Sequence, residues 1–398
     1  MHSESRRLIS ILFGYWFIFL IWQNILPYDA GSFSASLGKV ILISSLLFYM
    51  WRLQISIEVQ TFLFWSIFTL FSLIMLMLDE NTSIQLAVRY LFPPLLTYLI
   101  YISNAKSVVT INDYYIFLKL VVISVTAMCF YSLIFEFKAL LGVFSLSSAY
   151  GNELSSFFIS NHEFGMYLVF GIASLYFLYD NEQVRNKFLY YFLLILLVIN
   201  LIATISRTSM LACILIFFIL SLLLTKGNIL NKIIILLGVS ILLSIMLIGF
   251  QEFIKTILLK EGNDAGRFDM WLGFIEFYLE SSFVHQLFGY GFSFAEEYTK
   301  ANFNLKLLHN AFLQALLSYG LLGLSFLIGI VIKAIINSFV IYKKEKKLAA
   351  FFISLNISCL VFMMSNTACL MESPIDSFML SVFTIIIPKF VMNGFKVN

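Results

Sequence analysis

Long apolar runs separated by short polar segments make up most of the sequence. A helix that crosses a membrane needs about 20 mostly apolar residues, and twelve runs come close enough to that length to be candidate spans. The pattern therefore predicts an all-α protein, a polytopic transmembrane helical bundle of about twelve spans. The candidate spans are residues 8–27, 37–51, 61–78, 84–102, 114–135, 163–179, 188–205, 208–224, 233–250, 309–332, 348–370 and 377–393.

One long polar segment, residues 251–308, interrupts this pattern. It divides the chain into nine predicted spans over 1–250, a loop with interfacial helices over 251–308, and three predicted spans over 309–398. We expect a membrane protein that keeps one sizeable polar segment to do its chemistry there. The site would then face the compartment into which this segment opens.

The composition agrees with a membrane protein. Only 12% of the residues are charged and the mean hydropathy is +0.95, whereas about 25% of the residues of a soluble domain are charged. The net charge of +3 is not gathered into a basic or acidic tail, so nothing indicates a nucleic acid partner. The four cysteines lie in apolar runs without metal-ligand spacing, and we interpret them as small core residues.

The distribution of Lys and Arg predicts the topology, because these residues concentrate in cytoplasmic loops. A cytoplasmic N-terminus places most of the 25 basic residues on the cytoplasmic side, including the run 343–347. We therefore predict that both termini are cytoplasmic and that residues 251–308 face the exterior. The apolar run after Arg6-Arg7 lacks a small-residue cleavage site, so we interpret it as a retained span.

Two arginines near predicted spans are candidates for anion binding. Arg207 lies in a polar break between two spans, between Ser206 and Thr208. Arginine together with hydroxyl groups can cradle a phosphate, because the guanidinium fork matches phosphate oxygens; the alternative is an ordinary polar hairpin. Arg89 lies inside the fourth span, shortly before Pro93-Pro94. It either binds an anion or extends to the outer headgroups.

A third arginine, Arg267, precedes an amphipathic segment in the polar loop. Apolar and polar residues alternate at helical spacing over 267–280, which predicts a helix in the outer membrane interface, anchored by Trp271. Asn263 or Asp264 would cap it. Arg267 would then lie in the first turn, where the helix dipole favours an anion. The alternative is an amphipathic belt helix whose arginine meets lipid phosphate.

His309 is the candidate general base. It opens the tenth predicted span, and a histidine at a membrane mouth suits proton abstraction at physiological pH. His162, at the start of the sixth span, has a similar location, whereas His285 receives no role. A structural histidine is the alternative in each case. On a helix, His309 would share one face with Leu313, Leu316, Gly320 and Gly323.

Several common catalytic motifs are absent from the sequence. There is no Asp-x-Asp pair for a metal–diphosphate, no Walker loop, no glycine-rich dinucleotide turn and no Gly-x-Ser-x-Gly elbow. We therefore predict no cofactor and no metal site. If the protein handles phosphate, arginines rather than a divalent ion would bind it.

The order of these motifs resembles a known superfamily, the O-antigen polymerases (Wzy-type) and O-antigen ligases. The resemblance covers about residues 200–325. It rests on a Ser-Arg turn, a late polar loop and a His-Asn motif that opens the following span. The matching stretches are Ser206-Arg207-Thr208, Gly266-Arg267-Phe268-Asp269-Met270-Trp271, Leu287-Phe288-Gly289-Tyr290-Gly291-Phe292, His309-Asn310-Ala311-Phe312-Leu313-Gln314 and Tyr319-Gly320-Leu321-Leu322-Gly323.

The resemblance implies a metal-independent glycosyltransferase of the bacterial inner (plasma) membrane. Its donor would be a glycan on undecaprenyl diphosphate, held by Arg207 and Arg267. Arg89 is an additional candidate for holding the diphosphate. His309 would accept the proton of the sugar hydroxyl. The remaining candidates for substrate binding are Ser206, Thr208, Trp271, Asn310 and His162.

The resemblance favours a polymerase, whose acceptor is another lipid-linked repeat, over a ligase, whose acceptor is the lipid A core. The modest loop and the abundance of phenylalanine favour the polymerase. A polysaccharide flippase or transporter is the alternative from another class, but the chain lacks the repeated halves common in transporters. A structural assembly subunit would not need a cluster of outer arginines and histidine. A chain-length regulator is a candidate protein partner.

Overall fold

The computed structural model describes residues 56–57, 103–104, 110–138, 154–156, 161–224, 264–303, 308–365, 384 and 391. These residues divide between two compact units. The bundle unit comprises the described residues within 111–262 and 339–362. The loop unit comprises the described residues within 1–110, 263–338 and 363–398.

The described chain is helical apart from one pair of two-residue strands, which confirms the all-α prediction for this part. β1 (Ser56–Ile57) pairs antiparallel with β2 (Ser103–Asn104), with Ser56 opposite Asn104. The helices are α1 (Ile111–Phe135), α2 (Asn161–Asp180), α3 (Lys187–Ala203), α4 (Arg207–Leu224), α5 (Asp264–Glu280), α6 (Phe283–Phe288), α7 (Phe292–Phe303), α8 (Ala311–Ile341) and α9 (Lys346–Ser365).

Six helices coincide with predicted spans, namely α1 to α4, α8 and α9. Among the described residues, α1, α4 and α9 are long and apolar enough to cross a membrane. A fourth span is present if the two parts of α8, Ala311–Ser325 and Leu327–Ile341, form one span with a 53° bend. The predicted spans 8–27, 37–51, 61–78, 84–102, 233–250 and 377–393 lie outside the described residues, so the total of twelve remains a prediction.

Glycines allow close approach of the helices in the bundle unit. An alanine Cβ at Gly171 of α2 would lie 2.9 Å from a methyl group of Val125 on α1. Gly165, two turns earlier on α2, lies directly against Ser209 of α4. Small residues at such crossings are typical of helices that pack within a membrane, where close van der Waals contact stabilises association.

Aromatic rings and one ion pair join α2 to α9 at the end of the bundle unit that contains Lys347. The rings of Phe177 and Phe351 stack with centroids 4.4 Å apart, and Tyr114 of α1 meets Phe352 edge-on. The Lys347 Nζ lies 2.8 Å from a carboxylate oxygen of Asp180 and donates a hydrogen bond to its carbonyl oxygen. Exposed pairs of this kind contribute only about 0–1 kcal/mol, so ring packing is the main source of stability here.

The loop unit has its own core beneath α5. Met270, Phe274 and Tyr278 form the buried face of α5 and pack with Leu308 and Leu317. The opposite face exposes the side chains of Leu272, Ile275 and Leu279. The helix itself is confirmed, and this exposed apolar stripe is the face that would contact lipid; its place in the membrane interface remains a prediction.

Aromatic side chains extend the core of the loop unit from α5 to α7. The Tyr290 ring is stacked between His285, at 4.1 Å, and Phe294, at 4.6 Å between centroids. Phe277 stacks on Tyr298 at 4.4 Å. Burial raises the pKa of both the Tyr278 and the Tyr298 hydroxyls, so these groups remain neutral hydrogen-bond donors at physiological pH. The polar loop predicted from sequence therefore contains a compact aromatic core.

Candidate functional site

The bundle unit brings His162 and Ser206 together at the end that contains Arg207. The His162 Nδ1 lies 3.0 Å from the Ser206 hydroxyl oxygen, which in turn lies 2.8 Å from the Ser209 hydroxyl oxygen. Both serines are fully buried. The sequence placed these residues at two span ends 44 positions apart, and the structure joins them in one hydrogen-bonded chain.

Local backbone geometry explains how Arg207 comes to lie beside this chain. The peptide after α3 turns through Thr204 and through Ile205, which has a left-handed φ of 53°. The Asn161 side-chain amide donates to the Thr204 carbonyl at 2.8 Å, which joins the turn to the start of α2. α4 then begins at Arg207, and the Ser206 backbone carbonyl accepts the Met210 N–H at 3.0 Å in the first bond of the helix.

Arg207 therefore lies in the first turn of an 18-residue helix. The free N–H groups and the positive dipole end of a helix make its N-terminus favourable for an anion. The Arg207 side chain is half-buried, as is that of Thr208, so the charge lies at the edge of the packed unit. The predicted polar break is thus a helix N-terminus with a neighbouring histidine.

Glu136 is a further residue at this end of the bundle unit, and the sequence interpretation missed it. Its carboxylate accepts hydrogen bonds from the Ser156 backbone N–H at 2.8 Å and from the Ser155 hydroxyl at 3.4 Å. The Leu154 N–H donates to the Ala203 carbonyl at the end of α3. Burial raises the pKa of Glu136, although these hydrogen bonds oppose the effect. A lone acid directly after a predicted span was the available signal.

The structure corrects the prediction that His309 shares a helical face with Leu313, Leu316, Gly320 and Gly323. α8 begins at Ala311, and His309 has a left-handed backbone with φ of 50°. Asn310 is the helix cap, because its side-chain oxygen accepts the N–H groups of Phe312 at 3.0 Å and Leu313 at 3.2 Å. The histidine therefore precedes the helix, in a conformation that is uncommon for a residue with a Cβ atom.

Trp271 contacts the segment beside His309. Its indole N–H donates to the Leu308 carbonyl at 2.7 Å, so the side chain joins α5 to the backbone at Leu308. The predicted role of Trp271 as an anchor in the membrane interface remains a prediction. The half-buried ring lies at the border of the loop-unit core, and its N–H fixes the backbone directly before the histidine.

The described residues do not cover the other two arginines in the same detail. Arg267 lies in the first turn of α5, which begins at Asp264; this confirms the predicted start of the helix, but the Arg267 side chain lies outside the described structure. Arg89 lies outside the described residues altogether. The predicted association of Arg207, Arg267 and Arg89 around one ligand therefore remains a hypothesis.

A glycine turn packs against an interruption in α8. Gly320 has non-helical φ and ψ of 66° and −165°, and this break leaves the carbonyls of Leu317 and Ser318 free of their usual helical partners. The N–H groups of Tyr290 and Gly291 donate to these two carbonyls at 2.9 and 3.1 Å. The Gly-Tyr-Gly turn thus replaces the missing helical bonds and keeps the backbone of the interrupted helix hydrogen-bonded.

The chemistry available in the described residues is that of cations, imidazoles and hydroxyls. Groups of three or more His, Cys, Asp or Glu that could hold a metal ion do not occur in this part of the chain. The bundle unit offers an arginine at a helix N-terminus together with the His162–Ser206–Ser209 chain. The loop unit offers a histidine held in a strained backbone. Such groups can bind an anionic ligand and transfer a proton.

Comparison with known protein families finds a match for the central part of the chain. Residues 192–328 match the family described as O-antigen ligase, and no curated protein matches the chain. The matched stretch contains Arg207, Arg267 and His309, whereas Arg89 and His162 lie before it. The match and the membrane-spanning helices indicate an integral membrane protein. Residues 192–328, about a third of the chain, are therefore similar to the O-antigen ligase family.

Proposed function

We propose that this protein is a polysaccharide polymerase of the O-antigen or capsule type. It would transfer a growing glycan from undecaprenyl diphosphate to a sugar hydroxyl of another lipid-linked repeat at the outer face of the membrane. The acceptor oxygen forms a bond to the anomeric carbon, the bond from that carbon to the diphosphate oxygen breaks, and the lipid diphosphate leaves with the electron pair. The acceptor hydroxyl releases its proton to a base.

The observation that carries the proposal is the position of Arg207 within the matched domain. Arg207 is the first residue of α4 and directly follows Ser206, which is hydrogen-bonded to His162. A diphosphate gains negative charge as it leaves, and a preorganised cation at a helix N-terminus stabilises that charge. Ser206, Thr208 and His162 would shape this diphosphate site.

Arg267 and His309 complete the proposal from the loop unit. Arg267 would supply a second cation, since it also lies in a first helical turn, and Arg89 is a third candidate from its sequence alone. His309 would accept the proton of the acceptor hydroxyl, because imidazole titrates near physiological pH. We assign Trp271 and Asn310 to the acceptor side through the backbone around His309, because their polar side-chain atoms bond to the Leu308 carbonyl and the Phe312 N–H. This mechanism needs no metal ion, and the partners are the lipid-linked glycan and the bilayer.

A glycan ladder from living cells tests the proposal. A host strain that makes the lipid-linked repeat but lacks this protein would receive either the wild-type gene or His309→Ala, with His285→Ala as the matched histidine control. We expect the wild-type protein and the control to produce a ladder of many repeats and His309→Ala to produce none.

The same experiment separates the alternative functions. If no glycan reaches the lipid A core without the protein while long lipid-linked chains accumulate, the protein is the ligase and the polymerase proposal fails. If lipid-linked repeats remain on the cytoplasmic side without the protein, it is a flippase. The polymerase predicts a third result: without the protein, single repeats still reach the outer face and the lipid A core, and only chain extension is lost.

A further inference from the structure

The backbone of His309 requires support from its surroundings. A left-handed φ costs a residue with a Cβ atom about 1–2 kcal/mol, and such conformations persist where the neighbouring structure holds them in place. His309 has φ of 50° and precedes the first turn of α8. Whatever fixes the peptides on either side of it also fixes the direction in which its imidazole leaves the chain.

Two side chains from different helices hold the residue before His309. The Leu308 carbonyl accepts the Trp271 indole N–H at 2.7 Å, and the Leu308 N–H donates to the Gln314 side-chain oxygen at 3.2 Å. Leu308 and Gln314 are fully buried. Both polar groups of the Leu308 backbone are therefore bound by side chains, one from α5 and one from α8.

The residue after His309 is fixed by the start of α8. Asn310 caps the helix with its side chain, and its carbonyl accepts the Gln314 N–H at 2.9 Å. Gln314 therefore contacts both neighbours of the histidine, Leu308 through its side chain and Asn310 through its backbone. Its amide nitrogen lies 3.4 Å from the Ser318 hydroxyl, which orients the amide within the core.

We propose that Trp271 and Gln314 are positioning residues that act through the Leu308 peptide to hold His309 in its reactive orientation. The inference rests on the proposed function of His309 as the proton acceptor. It assigns to the two side chains an effect on the catalytic step rather than on substrate binding. A small misplacement of a catalytic group lowers the rate by up to about a hundredfold, although the protein remains folded.

The test uses two variants that remove hydrogen bonds and keep most of the apolar bulk of each side chain. Trp271→Phe keeps an aromatic ring but removes the indole N–H, and Gln314→Met keeps the length of the chain but removes the amide. Gln286→Met is the matched control, because the Gln286 amide bonds to the backbone carbonyls of Tyr278 and Leu279 in the same unit. The substrate is lipid-linked oligosaccharide extracted from a strain that lacks the protein, titrated into proteoliposomes.

We expect kcat to fall about tenfold or more in each of the two variants. KM for the lipid-linked oligosaccharide, which serves as both donor and acceptor, should stay within about twofold of the wild-type value. The double variant should lose little more than the worse single one, since both changes release the same peptide. Gln286→Met should retain the wild-type kcat. Thermal unfolding in detergent shows whether each variant is folded. If Gln314→Met does not fold, Gln314→Asn is used in its place.

The outcomes separate this inference from the proposed function. If His309→Ala is inactive while Trp271→Phe and Gln314→Met both retain the wild-type kcat, the positioning role is wrong and the proton acceptor stands. If the two variants change KM alone, the residues act in substrate binding and the inference is also overturned. If His309→Ala is as active as the wild type, the proposed function of His309 fails, and the inference about Trp271 and Gln314 fails with it.

Discussion

Gly289 and Gly320 approach each other so closely that neither position has room for a Cβ atom. A Cβ on Gly289 would lie 2.5 Å from the Ser318 carbonyl carbon, and one on Gly320 would lie 2.5 Å from the Gly289 nitrogen. Both residues also have positive φ, 79° and 66°. The loop turn and the interruption in α8 are therefore one structure, and each requires the other.

Gly320→Ala should destabilise the loop unit. The added methyl group meets backbone atoms, which cannot move aside as a flexible side chain can, and overpacking of this kind typically costs about 1–3 kcal/mol. The measurement is the yield and the thermal unfolding midpoint of the protein in detergent. Gly329→Ala is the matched control on the same helix, because a Cβ there meets no atom within 4 Å. Equal midpoints for the two variants would contradict the interlocked packing.

Gly165→Ala should disturb the polar chain beside Arg207. A Cβ at this position would lie 2.9 Å from the Ser209 Cβ and closer still to its hydroxyl, so Ser209 would have to move away from Ser206. We expect glycan synthesis to fall by about tenfold or more. Gly273→Ala is the control, since its Cβ would make an ordinary contact with Phe303 at 3.6 Å. Unchanged activity of Gly165→Ala would argue against a role for this chain.

His162 and Ser206 should be energetically coupled. We expect His162→Ala and Ser206→Ala to be less than additive, with a coupling free energy of about 0.5–3 kcal/mol, because contacting residues in one hydrogen-bonded chain share their stabilisation. The measurement is a double-mutant cycle on the free energy of unfolding, with glycan synthesis as the second readout. Simple additivity in both would show that the 3.0 Å contact contributes little.

Glu136→Gln should change how stability depends on pH. Burial raises the pKa of Glu136 above 4.5, so the folded state binds the proton more tightly than the unfolded state does. The stability contributed by the protonated carboxyl is present below the unfolded pKa and is lost as pH rises through the raised folded pKa. Because the group is only half-buried, we expect a small effect.

The thermal unfolding midpoint of Glu136→Gln should therefore rise relative to the wild type as pH increases from about 4 through the raised pKa, and then level off. Glutamine retains the oxygen that accepts the Ser156 N–H, so this contact survives in the variant. The exposed Glu182, exchanged for glutamine, is the control for a general charge effect. A midpoint difference that does not change with pH would contradict the assigned cause.

The apolar runs predicted the helices well because a membrane span is a local property of the sequence. α1, α4 and α9 begin within three residues of the predicted spans. α8 was predicted to end at residue 332 but continues to Ile341, since apolar residues follow Lys333. The prediction of the helix after Arg267 was also confirmed, because helical periodicity needs only the segment itself.

The site geometry was less predictable because it depends on contacts between distant segments. The Trp271 bond to Leu308 joins positions 37 residues apart, and periodicity carries no signal for such a pair. The same holds for the Gly289 turn, whose donors replace bonds lost at Gly320. Helical periodicity predicted that His309 lies within α8. Asn310 caps the helix instead, so α8 begins after the histidine.

The most direct test of the central claim is glycan transfer by the purified protein in proteoliposomes that contain lipid-linked oligosaccharide and no other protein. The account predicts longer lipid-linked chains and released lipid diphosphate with the wild type. It predicts that Arg207→Lys and His309→Ala each reduce this transfer about a hundredfold or more, while Arg185→Lys, at an exposed position, does not. Near-normal transfer by Arg207→Lys and His309→Ala, or no transfer by the wild type, would contradict it.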